Sequence, residues 1–153
     1  VHWHGLTINC MGDRIVCASA NSGEVAWSKK LEGDLERLGG HLASPPVVTG
    51  NRLFITTLAG EVQELDPRNG ETINSWSIGS PTRFPPTIEN GRIYVGCHDG
   101  KLVCIDTGDP SITGWPMWGH GPGHNSLVSD VEAEGEPNVP CNATKSASES
   151  LSN

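Results

Sequence analysis

Apolar residues occur along the chain in short runs, none close to 18 residues long, and each run is closed by a turn bearing glycine or proline. From residue 45 onward the punctuation is regular. Pro45 and Pro46 can open a strand but cannot sit inside a central one, so a strand is predicted to start there and run to about Thr49. Gly50-Asn51 supplies the positive φ of a two-residue hairpin turn. A second strand follows over 52–57, Ala59-Gly60 turns the chain again, a third strand covers 61–65, and a turn at DPRNG leads to a fourth over 71–76. The order returns downstream: Pro85-Pro86, a turn at Asn90-Gly91, a strand over 92–97, a two-residue turn at Asp99-Gly100 and a strand over 101–105.

These stretches are copies. Residues 44–66 lie over 84–106 at a shift of 40 with no gap, and Pro45/Pro85, Pro46/Pro86, Arg52/Arg92, Gly60/Gly100 and Asp66/Asp106 are identical. Leu53/Ile93, Phe54/Tyr94, Ile55/Val95, Val62/Leu102 and Leu65/Ile105 keep apolar character in step. A weaker copy lies upstream at a shift of 47, where Cys10, Ile15, Cys17 and Gly23 fall over Thr57, Val62, Glu64 and Gly70. Four-stranded antiparallel units repeating about every 40 residues mark β-propeller blades. The predicted fold class is therefore all-β, with about two to three blades of an incomplete propeller at about 1–31 (partial), 44–77 and 84–118. Known propellers close with at least four blades, so the chain is read as a C-terminal piece of a longer protein or as a module that assembles with copies of itself. Leu31, Leu35 and Leu38 suggest a short helix over 32–41 in the first inter-blade loop.

Composition agrees and narrows the function. With 19 Gly and 11 Pro in 153 residues, the chain is too punctuated for a helical bundle. A net charge of −8 removes the counterion-release attraction that drives nucleic-acid binding and disfavours anionic lipid. No transmembrane segment is predicted, and with Val1 in place of an initiator Met no targeting signal is readable. Residues 121–153 form a low-complexity tail, rich in Ser, Glu and Ala, that is expected to be disordered. Its Asn142-Ala143-Thr144 is a formal glycosylation acceptor, read as coincidental.

CASANSGEVAW, residues 17–27, and ELDPRNGETINSW, residues 64–76, resemble the A-x-D-x-x-T-G-x-x-x-W motif of PQQ-like, or quinoprotein-type, β-propeller repeats. The resemblance covers about residues 5–118. Gly23 and Trp27 match in the first copy, with Ser19 at the motif Asp. Asp66 and Gly70 match in the second, with Trp76 two residues late. In the third, Asp106 and Trp115 keep their distances from Cys104 and the glycine moves to Gly108. GWPMWGHGPGHNS, residues 114–126, is similar to sequences that end such propellers. The resemblance implies that Trp27, Trp76 and Trp115 pack between neighbouring blades while the glycines form the turns.

Two functional readings follow from it. One is a non-catalytic propeller that presents loops or strand edges to another protein, similar to the outer-membrane assembly lipoproteins of this superfamily, without a cofactor and in the periplasm or outside the cell. The other is the C-terminal part of a PQQ-dependent alcohol or sugar dehydrogenase holding the quinone with calcium. Many such enzymes carry a vicinal Cys-Cys pair, which this sequence lacks, and Asp66 and Asp106 fit a turn rather than a catalytic base. No catalytic residue is assigned, and the scaffold reading is preferred. The low-lying candidates for binding are Arg83 and Phe84, at the entry to the third blade, with His98 and Asp99 in its second-to-third-strand turn; both segments fall on one rim. The partner is then a protein, or the remaining blades of the same chain.

Other chemistry is weaker. His2-Trp3-His4-Gly5 matches a multicopper-oxidase ligand pattern, but six histidines are too few for that enzyme, and the repeat places them at a turn, so no metal site is assigned. Cys10 and Cys97 fall at equivalent second-strand places, Cys17 and Cys104 at third-strand places, with both thiols of the pair Cys97 and Cys104 diagonal on one face. All four are read as buried free thiols, and Cys141 has no evident mate.

Overall fold

A computed structural model describes residues 1–115 and 117 of the chain. The tail, with Cys141 and Asn142, and His120 and His124 lie outside the described residues. The elements are β1 (His2–Trp3), β2 (Leu6–Met11), β3 (Arg14–Ser19), β4 (Val25–Lys30), α1 (Leu35–Leu38), β5 (Val47–Thr49), β6 (Arg52–Thr56), β7 (Glu61–Leu65), β8 (Thr72–Ser77), β9 (Thr87–Glu89), β10 (Arg92–Gly96) and β11 (Leu102–Asp106). They form three antiparallel sheets of order β1-β2-β3-β4, β5-β6-β7-β8 and β11-β10-β9, which are the blades in chain order. The fold class is all-β, as the repeat predicts.

Burial records the order of stacking. One cluster joins Ile8, Ile15 and Cys17 of the first blade to Leu53, Ile55 and Leu65 of the second. The other joins Phe54, Val62 and Trp76 of the second to Ile93, Val95 and Ile105 of the third. Successive side chains of a strand point to opposite faces, so β6 sends Leu53 and Ile55 one way and Phe54 the other. All three are fully buried, since the middle sheet is covered on both sides. By contrast β10 is buried on alternate residues only and β2 at Ile8 alone, the mark of a sheet covered on one side.

The short turns follow their sequences. Asn90 and Gly91 both have positive φ, 48° and 75°, between the paired residues Glu89 and Arg92, as a type I′ hairpin requires. The longer hairpin differs from the two-residue turn predicted at Asp99-Gly100. Gly96 pairs with Leu102 and Tyr94 with Cys104, while the Cys97 amide donates to the Lys101 carbonyl, so the loop is His98-Asp99-Gly100. That one extra residue shifts the register and puts Cys97 and Cys104 on opposite faces rather than one. The same three-residue loop closes β6–β7, whereas β2–β3 closes with two residues, Gly12 and Asp13. Cys10 therefore matches Thr56 structurally, and its equivalence to Cys97 is corrected. Cys10, Cys17 and Cys97 are free thiols as expected. Cys104 is not: it is disulfide-bonded.

The inter-blade helix is confined to four residues between Gly33 and Gly39, with Asp34 as its N-cap accepting from the Arg37 amide.

Blade-to-blade cement sits where the motif implies it for Trp27. Its indole Nε1–H donates to the Pro67 carbonyl at 2.9 Å, across from the first blade to the β7–β8 turn of the second. The ring lies directly on Gly70, where an added Cβ would come within 2.6 Å of it. Gly70 also has φ +75°, so it serves both the turn and the close approach. Gly23, at the same place in the first blade, has φ +72° and no atom within 4 Å of such a Cβ. We expect Gly23→Ala to lose only the backbone strain, about 1–2 kcal/mol. Gly70→Ala should lose about 1–3 kcal/mol more by displacing the indole, a difference read from paired urea melts.

The turn that follows the third strand uses one device in three spellings. Asp66 Oδ1 accepts the Arg68 amide, Asp106 Oδ1 accepts the Gly108 amide, and Ser19 Oγ accepts the amides of Asn21 and Ser22. Asp66 also holds Arg68 through a bidentate contact, which keeps its carboxyl below the usual carboxylate range.

Trp115 departs from the motif. Among the described residues the third sheet has no fourth strand beside β11, and Trp115 instead bridges Ile88 of β9 through two backbone hydrogen bonds of 2.8 and 3.0 Å. After Asp106 the chain turns at Gly108, and the Gly91 amide donates to the Ile112 carbonyl, folding the segment back past the β9–β10 turn. Pro110 has no amide hydrogen to contribute to a ladder there. Trp115 thus does not stand on an outer strand as Trp27 and Trp76 do; of those two, Trp27 lies opposite Cys17 and Trp76 opposite Val62, two residues beyond the position equivalent to Trp27.

Candidate docking rim

The hairpin loops after β2, β6 and β10 lie at one end of the sheets, together with the two linkers that carry the chain from blade to blade. Backbone hydrogen bonds weave them together. The Leu42 amide donates to the Gly12 carbonyl and the Leu58 amide to the Leu42 carbonyl, so the first linker is tied to the loops of the blades on both sides. The second linker repeats this, with Ile78 donating to Gly60 and His98 donating to Pro81.

Phe84 is held at this rim by its backbone. Its carbonyl accepts from Thr56 Oγ1 at 2.8 Å, and its amide donates to Thr82 Oγ1 at 3.1 Å. Thr82 is fully buried and donates in turn to the Gly96 carbonyl at 2.7 Å. With its main chain hydrogen-bonded on both sides, Phe84 is still 53% exposed. It meets the His98 ring edge-on, centroids 5.5 Å apart at 75°. The rim thereby displays an ordered aromatic pair.

The charged candidates are already engaged. Arg83 reaches back to the first linker, its Nε donating to the His41 carbonyl at 3.1 Å and its terminal nitrogen to the Gly39 carbonyl at 2.7 Å. Asp99 pairs with Lys101 Nζ at 2.6 Å. That hydrogen bond is the main reason its carboxyl lies below the usual carboxylate range, with Ser80 contributing less. Burial pushes the nearby Cys97 thiol up, away from the thiolate that a nucleophile needs. The four predicted residues are thus brought to one rim, two as an exposed pair and two as supports.

A cleft of about 530 Å³ opens at the opposite end of the third sheet, lined by residues that include Asn90, Arg92, Asp106 and Asp109. None of the four predicted binding residues lines it. Another of about 360 Å³ lies between the outer strands of the first two blades, with Lys29, Glu61, Gln63 and Thr72 among its walls. Among the described residues no group of three or more His, Cys, Asp and Glu is arranged to hold a metal ion. The His2 and His4 pair is spent locally, His2 Nδ1 on Thr7 Oγ1 at 3.1 Å and His4 edge-on to Trp3 in the β1–β2 turn. No helix among the described residues is long and apolar enough to cross a membrane.

Sequence reasoning missed one polar site altogether. Glu64 is 1% exposed, its Oε1 3.0 Å from Arg52 and its Oε2 accepting from Asn74 at 2.7 Å. Arg52 extends to Asp109 of the third blade at 2.8 Å. Alternation along β7, which places Glu64 opposite Phe54 on a covered face, is the signal that could have found it.

Comparison with known proteins accords with this architecture. Residues 7–111 match the family described as outer membrane protein assembly factor BamB. Among solved structures, BamB from Moraxella catarrhalis is similar at TM-score 0.51 and 20% identity, over 74% of this chain and 33% of that one. A quinohemoprotein alcohol dehydrogenase from Pseudomonas putida HK5 is similar at TM-score 0.60 and 15% identity, over 72% of this chain and 19% of that one. The chain therefore spans a third or less of the length of these two structures. At these identities the likeness is one of fold. No curated protein matches the chain.

Proposed function

The chain belongs to the BamB-like family of PQQ-type β-propeller repeats, and from that premise we propose that its blades act as a non-catalytic scaffold that docks another protein outside the cytoplasm. The observation that carries this reading is the Phe84–His98 pair. An aromatic ring that is already ordered, and still half exposed, loses little freedom when a partner covers it, which is the economy of an interface hot spot. Arg83 and Asp99 serve the site by bracing its two loops. The family's description points to a partner in the assembly of outer-membrane proteins.

Site-specific photo-crosslinking in cells tests this. A crosslinker at Phe84 or His98 should trap one protein partner, while the same group at Ile73, exposed on an outer strand, should not. Phe84→Ala should weaken the isolated pair about tenfold or more with an unchanged melting temperature. Equal trapping from all three sites would refute the rim as the docking site. Dye-linked alcohol or sugar oxidation on adding PQQ and Ca²⁺ would instead support the dehydrogenase reading, which the fold shared with the Pseudomonas enzyme keeps in view.

A further inference from the structure

The outward face of the third blade holds one residue whose burial its own sheet does not explain. Cross-strand pairs place Arg92 with Asp106, Tyr94 with Cys104 and Gly96 with Leu102 on that face, while Ile93 and Ile105 turn to the second blade. Tyr94 with Cys104 corresponds to Phe54 with Glu64 in the second blade and to Ile8 with Cys17 in the first. Cys17 and Glu64 are buried on faces that the next blade covers. Among the described residues no sheet lies over Cys104. Its neighbours in the same row of β11 are open, Leu102 at 73% and Asp106 exposed as well, yet Cys104 is only 7% exposed.

Cys104 is also disulfide-bonded, whereas Cys10, Cys17 and Cys97 are free thiols. Geometry agrees with that division. Cys97 lies just beyond β10 on the opposite face of the sheet, and Cys10 and Cys17 belong to the first blade, with the whole second sheet in between. The chain has five cysteines, which leaves Cys141. Reach is ample. Met117 and Cys141 are 24 residues apart in sequence, up to roughly 80 Å of extended chain, against a three-strand sheet about 10 Å wide. Trp115 is bridged to Ile88 at the β9 edge and Cys104 stands on β11 at the other, so a bond to Cys141 brings the chain back to the far side of the sheet.

We infer that Cys104 is bonded to Cys141, and that the segment carrying Cys141 covers the outward face of the third blade at Tyr94 and Cys104. Forming the bond joins the two sulfurs, while two protons and two electrons pass to an exogenous low-molecular-weight disulfide, which is reduced to two thiols. A dithiol reductant reverses the exchange. Because Cys10, Cys17 and Cys97 are already free, a reductant acts on this bond alone and uncovers the face. The inference stands apart from the rim and depends on neither the docking nor the dehydrogenase reading.

The test oxidises the full chain in a glutathione buffer, alkylates it in denaturant and cleaves it after acidic residues, which separates the two cysteines without reduction. Mass spectrometry should find the Cys104 and Cys141 peptides joined, and treatment with a dithiol before alkylation should abolish the joined species. Cys104 joined instead to a second copy, to Cys97 or to no cysteine of the chain would overturn the inference. The cover is read by hydroxyl-radical labelling of Tyr94, the only tyrosine in the chain. Labelling should rise on reduction, and should rise equally in Cys141→Ser, a substitution outside the three sheets that should leave the circular dichroism unchanged. Should that variant fail to fold, the native chain before and after reduction carries the comparison. Tyr94 labelled to the same extent in the oxidised and reduced chains would show that the bond, if present, covers nothing, and the inference would fall.

Discussion

Trp76→Ala should destabilise the chain by about 3–5 kcal/mol, the range for removing a large buried aromatic. Trp76 is 3% exposed and packs in the cluster that joins the second blade to the third, beside Val62, its cross-strand partner in β7. The indole packs in the cluster that also holds Phe54 between the two sheets, so its loss leaves a cavity at the seam. The expected signature is specific. Amide exchange should accelerate first in β8 to β11, while the first blade, whose contacts with the second run through Leu53, Ile55 and Leu65, keeps its protection. Uniform acceleration over all three blades would mean that the row unfolds as one unit and that the seam has no separate stability. Trp27→Ala is the comparison, since Trp27 is only partly buried and should cost less.

The parts of this architecture that sequence revealed are those fixed by local chemistry. Pro45-Pro46, Asn90-Gly91 and the Asp66 turn each dictate backbone shape without help from distant residues, and the repeat at a shift of 40 follows from them. Register was harder. A hairpin written His-Asp-Gly can close around two residues or three, and only the pairing of Gly96 with Leu102 decides it. An ungapped comparison likewise hid that β2–β3 turns one residue sooner than β6–β7, which moved Cys10 off its supposed counterpart. Trp115 had the right distance from Cys104 but the wrong partner, because a turn at Gly108 redirects the chain toward β9, and among the described residues no fourth strand lies beside β11. At the rim, proximity of Arg83, Phe84, His98 and Asp99 was legible from topology. Their division into an exposed pair and two braces was not, since it depends on carbonyls of Gly39 and His41 some forty residues away.

Glu64→Ala is the substitution with the other large expected effect, because it breaks a network that spans two blades. The Glu64 carboxylate is buried, and Arg52 and Asn74 supply its hydrogen bonds. Arg52 is itself 37% exposed and shares its charge with Asp109. Removing one partner of a buried pair usually costs about 3–5 kcal/mol, since the charge and amide left behind lose their compensation. Here the open side of Arg52 lets water and Asp109 satisfy part of the guanidinium, so the loss belongs at the lower end of that range. The equivalent positions show what else the place accepts: Cys17 and Cys104 stand there in the neighbouring blades. Glu64→Cys together with Arg52→Leu, which matches Leu6 of the first blade, should therefore recover much of the stability lost by Glu64→Ala. Chemical denaturation of the two variants and of Arg52→Leu alone separates the terms. A double variant as unstable as Glu64→Ala would show that the ion pair supplies net stabilisation which apolar packing at this seam does not replace.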